Sequence, residues 1–357
     1  MGIRKTVGTG VERVIGPQRT GRVRDLDARL RRRLIRTLDV EARSGARRQT
    51  QPAKKKAKKT PAPPLSREEL IERLGRATPE GLGVGSKLPP GLTWASPDPF
   101  PDYPRTGATY RTLLAGMHER LRPRTYLEIG VSTGESLTLS RARTIAVDPA
   151  YQITKSLHCD LVALVETSDD FFAMPDAFDH FAGAAVDLAF IDGMHLAEYA
   201  LRDFMNLEKH MSPGGVVVMD DVIPRNSLEA SRVRRTGPWA GDVFKVHEVL
   251  REHRPDLTLL PLNTEPTGSY MIVGLDPAST VLDEAYESLL PFLTSPDPQV
   301  VATDWAERRA CLDPAAVLGS AALDEVVRLR DAGAGREEFS GLWQQLSEIP
   351  PLARTAP

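Results

Sequence analysis

Residues 125 to 148 constrain the fold more than any other stretch of the sequence. An apolar run from Tyr126 to Val131 meets two glycines, Gly130 within its end and Gly134 just after it. A second apolar run ends on Asp148. This order predicts a strand, a glycine turn, a helix and a second strand, which is a βαβ unit. Glycines in the first turn let the backbone approach a ligand closely, and the helix start offers free N–H groups to it. The alternative is an ordinary strand-to-helix turn that binds nothing.

The side chains around this turn indicate the kind of ligand. Ser132 and Thr133 can hydrogen-bond to it, and Asp148 is placed to accept both ribose hydroxyls of a nucleoside. A dinucleotide fold would show G-x-G-x-x-G, whereas this chain has Glu128 ahead of Gly130 and a longer glycine spacing. A carboxylate there would repel a pyrophosphate but suits a cation. The pattern therefore favours S-adenosylmethionine, which carries a sulfonium and an ammonium, over NAD.

These residues resemble motif I and the following acid of class I S-adenosylmethionine-dependent methyltransferases. Residues 187 to 195 and 213 to 224 resemble the metal-dependent small-molecule O-methyltransferases, which include macrocin-type and catechol-type enzymes. The resemblance covers roughly residues 105 to 275. It implies cofactor contacts at Glu128, Gly130, Ser132, Thr133, Gly134, Ser136, Asp148, Ser168, Asp169 and Asp192. In such relatives the polar residues after the third strand hold the adenine; alternatively, Ser168 or Asp169 only caps the next helix.

Three carboxylates, those of Asp192, Asp220 and Asp221, follow directly after the predicted fourth and fifth strands. Parallel strands end at the same edge of a sheet, so we expect the three to converge. Like charges that close are costly unless a cation neutralises them. A divalent ion that prefers oxygen ligands, Mg²⁺ first, would bind there and lower the pKa of an acceptor hydroxyl. In the alternative, Asp220 and Asp221 merely cap a turn before Pro224.

His195 lies three residues after Asp192, where catechol-type relatives carry a lysine base. A neutral imidazole of ordinary pKa can take a proton from a hydroxyl near neutral pH, so His195 is the predicted catalytic base. The resemblance to macrocin-type sugar methylation leaves the substrate class open.

A loop beyond the metal edge, residues 232 to 245, is rich in basic and aromatic side chains. It contains candidates to grip a sugar or a phosphorylated acceptor. The alternative is a solvated basic loop. The candidates are Arg232, Arg234, Arg235, Trp239 and Asp242.

Strands that alternate with helices predict an α/β fold with a parallel sheet and right-handed crossovers. The resemblance implies a Rossmann-like methyltransferase sheet, mostly parallel with an antiparallel edge strand, and helices on both faces. We expect a basic arm and linker (1–64), lead-in helices and a lid loop (65–124), the methyltransferase domain (125–275) and a helical C-terminal extension (276–357). The lid aromatics close over a substrate or cover the domain edge.

The first 60 residues are strongly basic, with 19 Lys and Arg against 5 Asp and Glu, whereas the remainder has 27 against 43. Val23 to Val40 predicts a basic amphipathic helix, and Arg43 to Pro64 predicts a flexible linker. The arm is a candidate to contact an acidic protein surface, nucleic acid or a membrane surface. Because no aromatic residues are interleaved with its charges, specific recognition of single strands is disfavoured.

No apolar stretch approaches the roughly 18 residues that a membrane-spanning helix requires, and the N-terminus lacks an apolar secretion segment. Two cysteines are too few for a disulfide framework. We therefore expect a soluble, cytoplasmic protein.

The sequence thus predicts an S-adenosylmethionine-dependent, Mg²⁺-dependent O-methyltransferase that acts on a hydroxyl of a small molecule, a glycoside or other secondary metabolite. A homo-oligomer is compatible with this prediction. One alternative is a nucleic-acid methyltransferase recruited by the basic arm. Base N-methylating enzymes, however, carry Asn/Asp-Pro-Pro-Tyr/Phe after the fourth strand, where this chain has Ile191-Asp-Gly-Met. The other is a non-catalytic docking protein, against which the intact carboxylates argue.

Overall fold

The computed structural model describes residues 103 to 352. The predictions for the basic arm, the linker and most of the lead-in segment, including its aromatics Trp94 and Phe100, lie outside the described residues. The described end of the predicted lid begins at Tyr103, which is 5% exposed. Its ring lies between the guanidinium groups of Arg105 and Arg308, each 4.3 Å from the ring centre. Tyr103 therefore covers the domain edge.

A seven-stranded sheet forms the core. Its strands are β1 Thr125–Ile129, β2 Arg143–Val147, β3 Asp160–Leu164, β4 Val186–Ile191, β5 Met211–Met219, β6 Thr258–Leu262 and β7 Ser269–Val273, in the order β3-β2-β1-β4-β5-β7-β6. The first five strands pair in parallel, and β7 runs antiparallel between β5 and β6. The predicted Rossmann-like, mostly parallel sheet is confirmed.

Helices cover both faces of this sheet. They are α1 Tyr110–Leu121, α2 Ser168–Phe172, α3 Ala197–Glu208, α4 Phe244–His253, α5 Val281–Leu293, α6 Thr303–Ala306, α7 Pro314–Leu318, α8 Ala322–Asp331 and α9 Ser340–Ser347. Alternate strand residues face opposite sides: Leu127 packs with α3, α4 and α5, whereas Tyr126 packs with α1, α8 and α9. No helix between residues 103 and 352 combines the length and the apolar character that crossing a membrane requires.

The helix predicted after the glycine turn is only a single turn of 3₁₀-helix, Ser136–Leu139. Residues 148 to 159 then link β2 to β3 without a helix. The chain between β1 and β2 is too short to turn, form a long helix and return. The C-terminal helices supply the missing cover, since Leu323 and Trp343 join Leu137 in one buried cluster. The C-terminal extension is therefore part of this domain's core.

Candidate active site

The turn after β1 is held in place by Asp148 at the end of β2. Its Oδ2 accepts hydrogen bonds from the backbone N–H groups of Val131 (2.9 Å) and Ser132 (2.8 Å). Its Oδ1 accepts one from the N–H of Ala150 (2.6 Å). A carboxylate offers about four acceptor positions, so Asp148 retains capacity for a further donor. Its predicted contact with ribose hydroxyls stays a prediction; in this structure the side chain shapes the turn.

Gly130 brings this turn against the end of β4. Its φ is +88°, and a Cβ atom there would lie 1.8 Å from the carbonyl oxygen of Asp192. The N–H of Asp192 in turn donates to the carbonyl of Ile129 (2.8 Å). The need for glycine at 130 therefore arises from the approach of two backbone segments that build the site. Gly134 (φ +77°) approaches the Ile153 side chain instead, at 3.1 Å from its would-be Cβ.

Replacing Gly130 by alanine is expected to separate the two turns. Gly183 provides a matched control, because its φ is +83° but nothing lies within 4 Å of its would-be Cβ. Gly183→Ala should lower the free energy of unfolding by roughly 1 to 2 kcal/mol, which is the cost of holding a residue with a Cβ atom in the left-handed conformation. Gly130→Ala should cost at least about 2 kcal/mol more, since backbone atoms must also move. Urea unfolding of both variants checks this, and equal losses would contradict the close approach.

Glu128 lies beneath the turn. It is completely buried and accepts hydrogen bonds from the Tyr126 hydroxyl (2.8 Å) and the Ser136 hydroxyl (2.7 Å). Burial raises the pKa of Glu128 to about 8, although the two hydrogen bonds favour its ionised form. Two residues predicted to contact the cofactor, Glu128 and Ser136, are thus bonded to each other. Attraction of a cationic ligand by Glu128 stays a prediction.

The raised pKa of Glu128 gives a dependence of stability on pH. The folded-state pKa of about 8 exceeds the ordinary value of 4.5, so the folded protein binds this proton more tightly. Its stabilising contribution is complete below about pH 4.5 and is lost as the pH rises through 8. Glu128→Gln should remove this loss, so the variant should gain stability relative to wild type between pH 5 and about 8. Melting curves across this range test it; parallel curves would contradict the pKa shift.

Ser168 and Asp169, predicted to hold adenine or to cap a helix, begin α2. The cap is neither of them: the Thr167 hydroxyl accepts the N–H of Asp170 (3.1 Å). Asp169 forms a two-pronged ion pair with Arg202 of α3, at 3.0 and 2.5 Å. The Ser168 hydroxyl acts on the carboxylate of Asp203 and lowers its pKa, against the larger effect of burial. The adenine contact stays a prediction, and both side chains have partners within the protein.

At the ends of β4 and β5 the structure brings together Asp192, Asp221 and His195. One potential ligand atom from each lies within 4.8 Å of the others. His195 Nε2 is 3.3 Å from Asp192 Oδ1, and His195 Nδ1 is 3.0 Å from Asp221 Oδ2. Asp220 is not in this group, and its Oδ1 accepts a hydrogen bond from the hydroxyl of Ser269 (2.7 Å). His195 thus takes the third place that the sequence assigned to Asp220.

A narrow cavity connects these residues, and Asp220 lines it with the other three. A fourth carboxylate, that of Asp203, also lines it. Asp203 is 3% exposed, and burial raises its pKa to about 7. Sequence reasoning missed it, although a signal existed. Asp203 falls on the same helical face as Ala200 and Leu207, where a carboxylate is out of place.

The electrostatics of the cluster depart from the prediction for His195. Burial lowers its pKa, but the Asp221 and Asp192 carboxylates outweigh burial and raise the pKa to about 10. Without a metal ion, His195 is therefore an imidazolium rather than the neutral base that was predicted. Burial together with neighbouring carboxylates raises the pKa of Asp220 well above its ordinary range. The proximity of these carboxylates, together with burial, disfavours ionisation of Asp220 and Asp221.

Backbone strain accompanies the cluster. His195 (φ +58°) and Asp221 (φ +63°) are both non-glycine residues in the left-handed region. Such conformations cost on the order of 1 to 3 kcal/mol each and concentrate at functional sites. The fold accepts this cost to aim both side chains into one cavity.

The loop over His195 carries Trp239. The indole stacks on the imidazole, with ring centres 4.9 Å apart, and the Trp239 carbonyl oxygen lies 2.8 Å from Nδ1. Gly241 follows with a φ of +60°, and its would-be Cβ lies 1.8 Å from the His195 carbonyl oxygen. Trp239 therefore orients the histidine, a role the sequence did not indicate.

Two other residues of this loop are not available to a substrate. Arg232 pairs with Glu198 (2.6 Å) and with Asp242 (2.5 Å). Asp242, fully buried, also accepts the N–H of Ala197 at the start of α3 and the ammonium of Lys245 in α4. The prediction that Arg232 and Asp242 grip the acceptor is therefore wrong; they join α3, α4 and the loop.

Known proteins are similar to part of this chain. Residues 127–222 match the sequence model of a family described as a methyltransferase domain. No curated protein matches the chain. Among solved structures, the O-methyltransferase TomG of Streptomyces achromogenes, described in complex with SAM, is 21% identical over 45% of this chain and 78% of its own, with a TM-score of 0.35. An O-methyltransferase of Bacillus cereus, described in complex with SAH, is 17% identical over 48% and 83%, with a TM-score of 0.36.

Proposed function

We propose that this chain, which carries a class I S-adenosylmethionine-dependent methyltransferase domain, methylates a hydroxyl group of a small molecule with the help of a divalent cation, Mg²⁺ first. The observation that carries the proposal is the convergence of Asp192, Asp221 and His195 at the carboxyl edge of the sheet. This cluster adjoins the glycine turn through the contact between Gly130 and Asp192. A glycoside or another hydroxylated metabolite is the acceptor class.

The residues present fit a hard divalent ion. Asp192 and Asp221 offer carboxylate oxygens, and Asp220 adds a third carboxylate to the same cavity. Burial and repulsion between carboxylates disfavour the ionisation of Asp220 and Asp221, and a divalent charge would reverse this effect. Oxygen ligands suit Mg²⁺, whereas ligation by His195 would shift the preference toward a metal such as Mn²⁺. When bound, the ion would supply a Lewis acid that lowers the pKa of the acceptor hydroxyl.

His195 is placed to receive the proton of that hydroxyl. The Trp239 carbonyl accepts the Nδ1 hydrogen, so in the neutral tautomer Nε2 is the free base. Stacking on the indole fixes the plane of the ring. These two contacts support Nε2 as the nitrogen that acts in the proposed reaction.

Binding measurements test whether S-adenosylmethionine is the cofactor. Isothermal titration calorimetry of the full-length chain should show binding of S-adenosylmethionine and weaker binding of NAD. Asp148→Ala should reduce the affinity at least about tenfold, because each charge-assisted hydrogen bond to a carboxylate contributes roughly 1.5 to 3 kcal/mol. Asp283→Asn, on the outer helix α5, serves as the control and should leave the affinity unchanged. Tighter binding of NAD than of S-adenosylmethionine would contradict the proposed cofactor.

The acceptor class is tested with methyl-labelled S-adenosylmethionine and two fractions of a cell extract, small metabolites and nucleic acids. We expect label in the metabolite fraction, as a methyl ether. The strongly basic first 60 residues are the observation that favours the nucleic-acid alternative. Label confined to nucleic acid, and lost when residues 1 to 60 are deleted, would establish that alternative instead.

A further inference from the structure

Arg235 is a buried guanidinium without a counter-ion among residues 103 to 352. The residue is 3% exposed, and its Nε and Nη2 atoms have no hydrogen-bond partner. Unsatisfied buried groups are rare, and an unpaired buried charge is especially costly. Burial also lowers the pKa of Arg235. The described part of the fold therefore supplies no partner for this charge, which indicates that the partner is a bound group.

Other buried arginines of the described chain show what the fold usually provides. Carboxylate partners lie 2.5 to 2.6 Å away in the pairs Arg225–Glu229 and Arg254–Glu208. Arg308 donates instead to the side chain of Asn263 and to the carbonyl groups of Thr264 and Pro266. Arg235 has neither kind of partner among residues 103 to 352.

Asp297 is the acid whose charge acts on Arg235. Its Oδ1 already accepts the backbone N–H of Arg232 (3.0 Å) and the side-chain amide of Gln299 (3.0 Å). Asp297 attracts Arg235 from a distance without bonding to it. The two unpartnered nitrogen atoms of the guanidinium, Nε and Nη2, are left for another acceptor.

The position of Arg235 connects it to the candidate active site. The Trp239 indole N–H donates to the carbonyl of Ser231 (2.6 Å), which closes residues 231 to 239 into a loop. Trp239 also stacks on His195 and bonds to it through its carbonyl group. Arg235 therefore sits in the loop that orients the proposed base.

We propose that Arg235 binds an oxyanion of the acceptor, a carboxylate, phosphate or sulfate group. An oxyanion supplies both requirements at once, a negative charge and oxygen acceptors that match the planar fork of a guanidinium. A neutral hydroxyl or carbonyl group would satisfy the N–H donors but leave the charge uncompensated. The assignment of this anion to the methyl acceptor rests on the proposed function; the anion site itself does not.

Inorganic phosphate and sulfate, added separately in the presence of EDTA, are the probes. At a concentration about fivefold above its Kd, a bound anion should raise the melting temperature of the full-length chain by roughly 2 to 4 °C. Arg235→Gln should abolish the rise, and Arg235→Lys should keep part of it, because lysine retains the charge without the fork. Arg251→Gln, an equal loss of charge on the exposed side of α4, should keep the full rise. No rise in wild type, or an equal rise in Arg235→Gln, would overturn the proposal.

A second variant separates binding from a structural role. Arg235→Met removes the unpaired guanidinium but keeps a long apolar side chain, so without added anion it should melt at or above the wild-type temperature. A lower melting temperature would show that Arg235 supports the fold, and would overturn the anion site. Binding of S-adenosylmethionine and labelling of the metabolite fraction are measured on the same variants. Loss of the anion response with labelling retained rejects only the assignment to the acceptor, whereas absence of labelling in wild type rejects the proposed reaction.

Discussion

Asp221→Asn is expected to remove nearly all methyl transfer, with a loss of at least about 10²- to 10³-fold. Asparagine keeps the size of the side chain but not the charge that a divalent ion requires beside Asp192 and His195. Turnover of labelled S-adenosylmethionine, with and without added Mg²⁺, measures the effect. Asp283→Asn is the control with the same chemical change on the outer helix. Wild-type turnover in Asp221→Asn, with unchanged response to chelator, would contradict the metal site.

The structure also predicts that the three carboxylates contribute unequally to metal binding. Because the Asp220 Oδ1 is held by Ser269, Asp220→Asn should weaken metal binding less than Asp192→Asn or Asp221→Asn. Calorimetric titration with Mg²⁺ and with Mn²⁺ compares the three variants. Equal losses in all three would restore the arrangement predicted from sequence, in which all three acids are equivalent ligands.

His195→Asn is expected to reduce turnover by about 10²- to 10⁴-fold while S-adenosylmethionine still binds. Asparagine is chosen because it tolerates the left-handed backbone at this position, where φ is +58°, and cannot serve as a base. His158→Asn, at an exposed position in the β2–β3 connection, is the matched control. Turnover close to wild type would exclude His195 as the base.

Metal affinity of the same variant distinguishes two roles for His195. If Mg²⁺ binds His195→Asn as tightly as wild type, the histidine acts on the acceptor proton. If affinity falls together with turnover, the imidazole is a ligand, as its position within 4.8 Å of both carboxylates allows.

Much of the fold was predictable because it follows from short-range patterns. Apolar strands followed by polar residues marked the carboxyl edge, and parallel strands end at one edge. Asp192, Asp221 and His195 were therefore identified by position alone. The antiparallel pairing at the edge of the sheet followed from the family resemblance, whereas the strand order was not predicted.

The missed features depend on contacts between residues far apart in the chain. The pairing of Arg232 with Glu198 and Asp242 spans 34 and 10 positions, so the loop looked like an open basic surface. The support of Asp220 by Ser269 spans 49 positions. Neither a period nor a motif marks such pairs.

The turn around Gly130 was predicted correctly as a special backbone site but for an incomplete reason. Close approach to a ligand was inferred, whereas the structure shows close approach to Asp192 of the neighbouring strand end. Asp148 and Glu128 likewise have donors within the protein, from the turn itself and from Tyr126 and Ser136. These residues build the turn, and their contacts with cofactor are the part that binding measurements must establish.

Cation-dependent methylation is tested most directly by following methyl transfer from labelled S-adenosylmethionine to a hydroxylated metabolite fraction. The full-length chain is assayed before and after treatment with EDTA. We expect labelled methyl ethers that disappear with EDTA and return when Mg²⁺ or Mn²⁺ is restored, while S-adenosylmethionine binding persists throughout. Methyl transfer that continues unchanged in EDTA would show that the cluster of Asp192, Asp221 and His195 does not work with a bound cation.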